Sequence, residues 1–376
     1  MTRRERLMAT LRGEPVDRPP VSFYEINGTE DTESSDPFNI YSHPSWRPLI
    51  ELARDKTDRI VMRGVGCKAM EPPPVDALTE TETVIRDGSR FTSSRIQAGD
   101  RMLTSRYRTD PDVNTTWCLE HLLKDTDDLR AFLEIPPPAP DGSVEPGGFL
   151  ETEEALGDSG IALIDTCDPL CRAAALFDMG EYTIIALTEP ELFHRLLERF
   201  ASMLLPRTEA VSKALPGRLW RIFGPEYASP PYLPPHLFRE YVCRYVAPMI
   251  EAIQGHGGYA RIHSHGNLKD ILDDIVGMGA DGLDPIEPPP QGDVELSYVR
   301  ENYGKEMVLF GNLEITDIEN LPTEEFAEKV KRALAEGTTG KGRGFVLMPS
   351  ACPYGRELSP LTMRNYETII EIVERG

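Results

Sequence analysis

Five apolar stretches of this sequence end in polar side chains that could do chemistry. Each stretch is short enough to be a buried strand, and in a barrel of parallel strands the carboxyl ends meet at one rim, where catalytic groups of that fold lie. The sequence therefore predicts a rim that holds imidazoles, carboxylates, an amide and a thiol: Glu226 after Leu219–Phe223, His263 and His265 after Tyr259–Ile262, Asp284 and Glu287 within and after Gly282–Ile286, Asn312 and Glu314 after Met307–Phe310, and Cys352 after Phe345–Met348.

His263 and His265 are two residues apart, so on an extended strand both side chains point to the same side. Cys352 arrives from a later strand and would add a sulfur ligand to the two nitrogen ligands. Such a set suits Zn²⁺, and three protein ligands leave a fourth position for substrate. The sequence predicts a zinc site at these three residues. The alternative is that the histidines cap the following helix or form hydrogen bonds within the core.

The carboxylates near this pair allow two interpretations each. Glu226 is either a functional group, contacting metal or substrate or handling a proton, or an exposed loop carboxylate. Asp284 and Glu287 either accept hydrogen bonds from metal-binding imidazoles or lie solvated in a loop stiffened by Pro288–Pro290. We assign Glu226 and Asp284 as catalytic candidates and Glu287 as an acceptor behind the metal ligands.

Four further residues are assigned to substrate binding, together with Glu226. Tyr24 and Tyr227 are aromatic candidates for the lining of a pocket, and a place in the core is the alternative for both. Asn312 and Glu314 follow a predicted strand and face the same rim as the histidines if the barrel forms. All four assignments depend on the strands being parallel.

The elements that position these residues follow a proline-rich break at Pro136–Gly148. Buried strands that alternate with amphipathic helices indicate a parallel sheet covered by helices. Six such units, with strands before them to complete a ring, favour a (β/α)8 barrel over a doubly wound sheet. Asn267 is expected to cap the helix that begins there, with Asp270 completing a capping box. The remaining elements are predicted as a strand at Ile161–Ile164 and helices at Pro190–Leu204, Pro235–His256, Asn267–Gly277, Leu296–Tyr303, Thr323–Glu336 and Thr362–Val373.

The first part of the chain is less regular. We treat residues 1–376 as a single barrel domain, with N-terminal additions over about 1–150 and regular units over about 151–376. The additions are predicted to contain a helix, two strands and a hairpin excursion: Thr2–Arg12, Pro19–Tyr24, Arg59–Met62, and the hairpin segments Phe91–Ile96 and Met102–Tyr107.

Composition excludes several classes of protein. The 376 residues carry a net charge of −22, which argues against nucleic acid and against an anionic membrane surface as partners. Apolar runs fall short of the roughly 20 residues that span a bilayer, and the basic start lacks the apolar region of a secretory signal. Six cysteines in so long a chain do not form a disulfide framework. We expect a cytoplasmic protein with reduced thiols.

Several motifs give the sequence a resemblance to the uroporphyrinogen decarboxylase superfamily, and more closely to its cobalamin-dependent methyltransferase branch. The similarity covers most of the chain and is strongest from about 219 to 370. It is carried by the opening TRRERLMATLRGEPVDRPPV and by GPEYASPPYLPPHLFREYV, IHSHGNLKDILDDIVGMGADGLDPIEPPPQGD, LFGNLE and GFVLMPSACPYG.

The resemblance implies a (β/α)8 barrel with a deep pocket at the carboxyl ends of its strands. In the methyltransferase branch a His-x-Cys pair and a later Cys bind zinc, which activates a thiol. The matching positions are His263, His265 and Cys352, so a histidine replaces the middle cysteine and makes the site more Lewis acidic. Related demethylating members use Glu and His ligands, which would admit Glu226.

The expected function is zinc-dependent methyl transfer between a corrinoid, such as methylcobalamin, and a small thiol or methylated substrate. The corrinoid is either free or carried by a partner corrinoid protein, and the resemblance implies a homodimer. Two alternatives stay open: a metal-independent decarboxylase of a smaller acid, and a non-catalytic barrel that binds a corrinoid or tetrapyrrole. Decarboxylation of the porphyrinogen itself is disfavoured, because the region VSFYEINGTEDTESSD is acidic and lacks the arginines of those enzymes.

Overall fold

The computed structural model describes residues 1–68, 74–137 and 143–375. The strands in these residues are β1 (Arg59–Arg63), β2 (Gly66–Lys68), β3 (Thr79–Arg86), β4 (Ser89–Ala98), β5 (Arg101–Thr109), β6 (Thr116–Glu120), β7 (Ser143–Glu145), β8 (Gly160–Cys167), β9 (Leu219–Phe223), β10 (Tyr259–Ser264), β11 (Gly282–Pro285), β12 (Val308–Leu313) and β13 (Gly344–Pro349). Seven of them form a parallel sheet in which each strand is hydrogen-bonded to the next in the order β1-β8-β9-β10-β11-β12-β13.

Helices fill most of the connections between the parallel strands and cover the outside of the sheet. They are α1 (Arg3–Arg12), α2 (Arg47–Lys56), α3 (Pro74–Ala77), α4 (Thr126–Glu134), α5 (Gly147–Leu156), α6 (Pro169–Ala174), α7 (Met179–Thr188), α8 (Pro190–Ala214), α9 (Pro235–Phe238), α10 (Arg244–Gly255), α11 (Leu272–Gly277), α12 (Leu296–Tyr303), α13 (Ile315–Asn320), α14 (Thr323–Thr338) and α15 (Pro360–Arg375). Within the described parts of the chain, no helix is long and apolar enough to cross a membrane.

The segment around Val21 fills the eighth position of the ring. Val21 pairs in parallel with Leu347 of β13, whose N–H donates to the carbonyl of Pro20 at 2.9 Å. On the other side, the N–H of Asp58, just before β1, donates to the carbonyl of Val21 at 2.7 Å. The sheet therefore curls from β1 round to β13, and the predicted (β/α)8 barrel is confirmed. The strand expected at Pro19–Tyr24 is reduced to a bridge at one residue.

The inside of the barrel has an apolar half and a charged half. Leu7 and Leu11 of α1 pack with inward side chains of the strands, such as Leu219, Val308 and Val346, and close the amino end. Helix α1 is fixed there by a capping box in which Thr2 and Glu5 bond each other's backbone N–H groups. Towards the carboxyl end the inward positions are polar instead, and these are the residues of the candidate site.

Several predicted elements differ in extent. The hairpin excursion is confirmed and is larger than expected, because β3 to β6 form a four-stranded antiparallel sheet. The single helix predicted over Pro235–His256 is divided into α9, a π-helical turn at Arg239–Cys243 and α10. Part of the loop predicted at Pro136–Gly148 lies outside the described residues. Its last residues are not loop throughout, since β7 pairs with β2 and α5 begins at Gly147.

The expected cap at Asn267 is wrong. Helix α11 begins at Leu272, and neither α11 nor the 3-10 turn before it receives a side-chain cap from its own N-terminal residue. The N–H groups of Leu268 and Lys269 donate instead to Oδ1 of Asp293, at 2.8 and 3.1 Å. Asp293 belongs to the loop after β11, so a distant carboxylate replaces the local cap.

Candidate functional site

Two imidazoles meet at the carboxyl end of β10. His263 lies in the strand and points into the barrel, His265 follows it, and their rings are 4.7 Å apart and nearly perpendicular. The Nδ1 atom of His263 is hydrogen-bonded to Asp284 at 2.8 Å, and that of His265 to Glu287 at 2.8 Å. Both bonds use Nδ1, so Nε2 of each ring is the atom left to bind a ligand.

The two carboxylates behind these rings are hydrogen-bonded, and Asp284 is fully buried whereas Glu287 is partly buried. Burial alone would raise the pKa of Asp284, but the charges of Arg261, 3.0 Å away, and of His263 outweigh it and hold that pKa below its usual range. Burial also raises the pKa of Glu287, and the hydrogen bond and charge of His265 outweigh it. Both groups are therefore ionised acceptors. A buried ionised acceptor fixes the tautomer and orientation of a histidine.

Charged and aromatic side chains pack around His263 inside the barrel. The ring of Tyr24 stacks on His263 at 5.7 Å and 13°, which places Tyr24 at the candidate site. Its hydroxyl accepts a hydrogen bond from Arg221, which is also paired with Asp165 at 2.7 Å. Arg221, Arg261 and Asp165 were missed by the sequence analysis. The available signal was a charged residue at an inward position of an otherwise apolar strand, as in the β9 sequence LWRIF.

Cys352 lies beyond β13 and is bonded to a different partner. Its Sγ donates to Oε2 of Glu25 at 3.2 Å, and Glu25 has a left-handed backbone with φ of 61°. Burial and the charge of Glu25 raise the pKa of Cys352 well above its ordinary value, so the thiol is protonated. Over residues 1–68, 74–137 and 143–375 no group of three His, Cys, Asp or Glu side chains is arranged to hold a metal ion. The zinc site at His263, His265 and Cys352 stays a prediction.

Glu226 lies on a 3-10 turn, Pro225–Ala228, directly after β9. Its Oε2 accepts the N–H of Gly224 at 2.9 Å. Gly224 has φ of 121°, and a Cβ there would lie 2.2 Å from Oδ1 of Asp168, so the turn is packed tightly against this residue. Asp168 caps α6 and is fully buried, and burial, with a contribution from the charge of Glu226, raises its pKa well above the ordinary value. The sequence analysis missed Asp168, although it also follows a strand.

The other three residues assigned to substrate binding lie in two further places. Tyr227 packs against the core, where its ring is edge-on to Tyr182 at 6.2 Å and its carbonyl accepts the Tyr182 hydroxyl at 2.7 Å. Asn312 and Glu314 line a cavity of about 110 Å³ between the end of β12 and α14. Burial and the charge of Glu287 raise the pKa of Glu314 to about 7.

A larger cavity, of about 350 Å³, is bordered by Arg221, which is bonded to Tyr24, and by Glu25, which is bonded to Cys352. Glu25, Asp165 and Arg221 are among the residues that line it. Cavities of a few hundred Å³ suit small-molecule ligands. This cavity is therefore the candidate substrate cavity, next to the ring that stacks on His263.

A family model described as "Uroporphyrinogen decarboxylase (URO-D)" matches residues 169–360, which is more than half of the chain. The chain belongs to the uroporphyrinogen decarboxylase family. The matched residues include every candidate at the rim from Glu226 to Cys352. The solved structure of a methyltransferase from Methanosarcina mazei is similar in fold, with a TM-score of 0.59 and 17% identity over 100% of this chain and 99% of that chain. A search of curated proteins finds no match to this sequence.

Proposed function

We propose that this protein is a zinc-dependent methyltransferase that moves a methyl group between a corrinoid and a small thiol or methylated substrate. The observation that carries the proposal is the pair of imidazoles at the rim, each with Nδ1 held by a carboxylate, buried Asp284 or partly buried Glu287, and Nε2 left for a ligand. Histidines that ligate zinc typically have this arrangement. The similarity in fold to the methyltransferase from Methanosarcina mazei supports the proposal.

The residues that would hold zinc are His263, His265 and Cys352, and their nitrogen and sulfur donors fit its preferences. When bound, zinc supplies a Lewis acid that lowers the pKa of a thiol or polarises the oxygen that leaves a methyl group. Cys352 must lose its proton to serve as a thiolate ligand. Oε2 of Glu25 already accepts a hydrogen bond from that thiol at 3.2 Å and is placed to take the proton.

The other side chains orient the two rings. Asp284 and Glu287 accept from Nδ1 and so keep the Nε2 lone pairs directed away from them. Arg261 keeps Asp284 ionised, and stacking on Tyr24 limits rotation of the His263 ring. These contacts favour a positioning role for Asp284, which we had assigned as a catalytic proton handler, because an ionised carboxylate with a lowered pKa is a poor proton carrier near neutral pH.

The size of the substrate cavity suggests how the two substrates are accommodated. A volume of about 350 Å³ accepts a small thiol or methylated compound. A corrinoid is much larger, so we propose that it presents its methyl group at the mouth, either free or on a partner corrinoid protein. We further propose that the protein is cytoplasmic and homodimeric, as the family resemblance implies.

The test is metal content and methyl transfer in the same preparations. We expect about one zinc per wild-type chain and transfer from methylcobalamin to a small thiol, with both lost in the double variant His263→Ala/Cys352→Ala. The matched control is His256→Ala/Cys243→Ala, since that histidine pairs with surface Glu209 and that cysteine, in the turn before α10, packs partly buried against the core. Folded wild type that binds no zinc after reconstitution would refute the proposal.

A decarboxylase of a small acid is the second candidate. The family description favours it, and so does the position of Arg63. Arg63 lines the substrate cavity, and within the described residues it has no carboxylate partner. A guanidinium of this kind recognises a substrate carboxylate. Release of CO₂ from a panel of small acids by zinc-free enzyme, lost in Arg63→Met, would favour this candidate over methyl transfer.

A further inference from the structure

The small cavity beside β12 contains one carboxyl group that differs from all its neighbours. Most of the charged residues in its wall are paired: Lys329 lies 2.7 Å from Asp317, and Arg332 lies 2.6 Å from Glu336. Glu314 has no basic partner recorded in the described parts of the chain, although it lines the same cavity. A buried carboxyl without a cation is costly to keep charged.

The contacts of Glu314 leave one of its oxygens available. The residue is only 5% exposed. Its Oε2 accepts the Ser350 hydroxyl at 3.3 Å, and that hydroxyl accepts the N–H of Ile315 at 3.2 Å, which fixes the carboxyl in place. Its Oε1 is buried and has no hydrogen-bond partner. The group is therefore held by one oxygen and can give or take a proton at the other.

Burial and the charges around Glu314 bring its pKa close to neutral pH. Burial raises its pKa most, and the nearby carboxylates of Glu287 and Asp317 raise it further. The Ser350 hydroxyl and the imidazole of His265 lower it, and the resulting pKa is about 7. A group with a pKa near the working pH exchanges protons most effectively.

We propose that Glu314 carries protons between the reaction centre and solvent by way of this cavity. The inference rests on the proposed methyl transfer, which must release or consume a proton. Glu314 lies within charge reach of the Glu287–His265 pair on one side and lines the cavity on the other. A cavity of about 110 Å³ holds several water molecules, which can pass a proton onwards.

The proton balance is simple in both directions. When a thiol acceptor RSH becomes the thiolate that takes the methyl group, its proton moves to the Glu314 carboxylate, which becomes the acid and then releases the proton to cavity water. When a methylated oxygen is the donor, protonated Glu314 supplies the proton that the leaving oxygen takes up, and water restores it. No electrons are transferred to or from the residue.

Among the residues that the structure describes, Asp168 is the other carboxyl with a raised pKa and a buried unpartnered oxygen. It is 0% exposed and packed against Gly224, where a Cβ would lie 2.2 Å from its Oδ1. Full burial separates Asp168 from solvent, whereas Glu314 lines a cavity. The geometry therefore distinguishes the two residues.

Infrared difference spectroscopy tests the titration of Glu314 without requiring activity. We expect the C=O band of a protonated carboxyl to disappear from wild type as the pH rises through about 7, and to be absent from E314Q. The matched control is E336Q, which changes a carboxylate of the same cavity that is paired with Arg332 and should keep the band. A wild-type spectrum with no band titrating near neutrality, or a band titrating near pH 7 that persists in E314Q, would overturn the proposal.

The pH profile of methyl transfer tests the role itself. We expect the change in methyl-transfer rate near pH 7 to be lost in E314Q, and to be partly restored, at a shifted pH, in E314D. Thermal unfolding of each variant shows whether the fold is retained. Turnover in E314Q with an unchanged pH profile would overturn the relay alone, whereas absence of methyl transfer from wild type at every pH would refute the proposed function.

Discussion

Replacement of Asp284 by asparagine tests how the candidate site is held together. Asp284 is 0% exposed and lies 3.0 Å from Arg261 Nε and 2.8 Å from His263 Nδ1. The variant keeps the shape of the side chain and removes its charge, so the guanidinium of Arg261, itself 1% exposed, loses its buried counter-ion. Removing one partner of a buried ion pair costs about 3–5 kcal/mol of stability.

The same substitution should weaken metal binding. Loss of an acceptor behind a ligating histidine lowers metal affinity by about 10–100-fold, or roughly 1.4–2.8 kcal/mol. Two measurements are therefore needed: urea unfolding of the metal-free protein, analysed by linear extrapolation, and competition for zinc against a chelating indicator. The control is Glu33→Gln, which breaks an exposed pair with Arg47 of 2.8 Å and should change stability by less than about 1 kcal/mol.

A double variant decides whether the loss of stability comes from the unpaired charge of Arg261. Replacing both Asp284→Asn and Arg261→Met removes both charges, and buried pairs replaced by apolar groups are often near neutral in stability. We expect the double variant to be at least about 1 kcal/mol more stable than the sum of the single changes predicts. A loss below about 1 kcal/mol for Asp284→Asn alone, or strict additivity in the double variant, would refute the reasoning.

Three more predictions follow from single residues. Glu314 binds its proton more tightly in the folded protein, where its pKa is about 7 against an ordinary value of 4.5, so its contribution to stability falls as the pH rises from about 4.5 through 7. We expect the free energy of unfolding of wild type, measured in urea, to fall by up to about 3 kcal/mol between pH 5 and pH 8 through this residue, and E314Q to lack that fall. Gly224→Ala should lower the melting temperature, because φ is 121° and the new Cβ meets Asp168 at 2.2 Å, whereas Gly147→Ala, with open space around it, should not. Thr2→Ala should cost about 1 kcal/mol of unfolding free energy by removing the cap of α1.

Each of these has a result that would contradict it. For the acid–base prediction it is an equal slope of stability against pH in wild type and E314Q, with E336Q as the reference for a paired carboxylate. For the glycine pair it is a Gly224→Ala protein that melts with wild type. For the cap it is a Thr2→Ala protein whose urea midpoint is unchanged while its slope is also unchanged, since that combination means no loss of stability.

The sequence by itself determined the barrel and the positions of its rim. Strand β9 has the bounds Leu219–Phe223 that its apolar run predicts, and β10 ends at the HSH segment that drew attention to His263 and His265. Such features are local: a run of buried side chains, a following glycine or proline, and the right-handed βα connection act within a few residues of one another. They can be recognised without knowledge of the rest of the chain.

The tertiary structure decided which groups meet. Local signals favoured Asn267 as a cap, but Asp293 reaches the same N–H groups from another loop. Cys352 was expected beside the histidines and is bonded to Glu25, more than three hundred residues earlier in the chain. Register between strands and burial from several sides determine these partners, and they also set the proton affinities of Asp284 and Glu314. Charge interactions depend on distance and desolvation in space, which the order of residues along the chain does not specify.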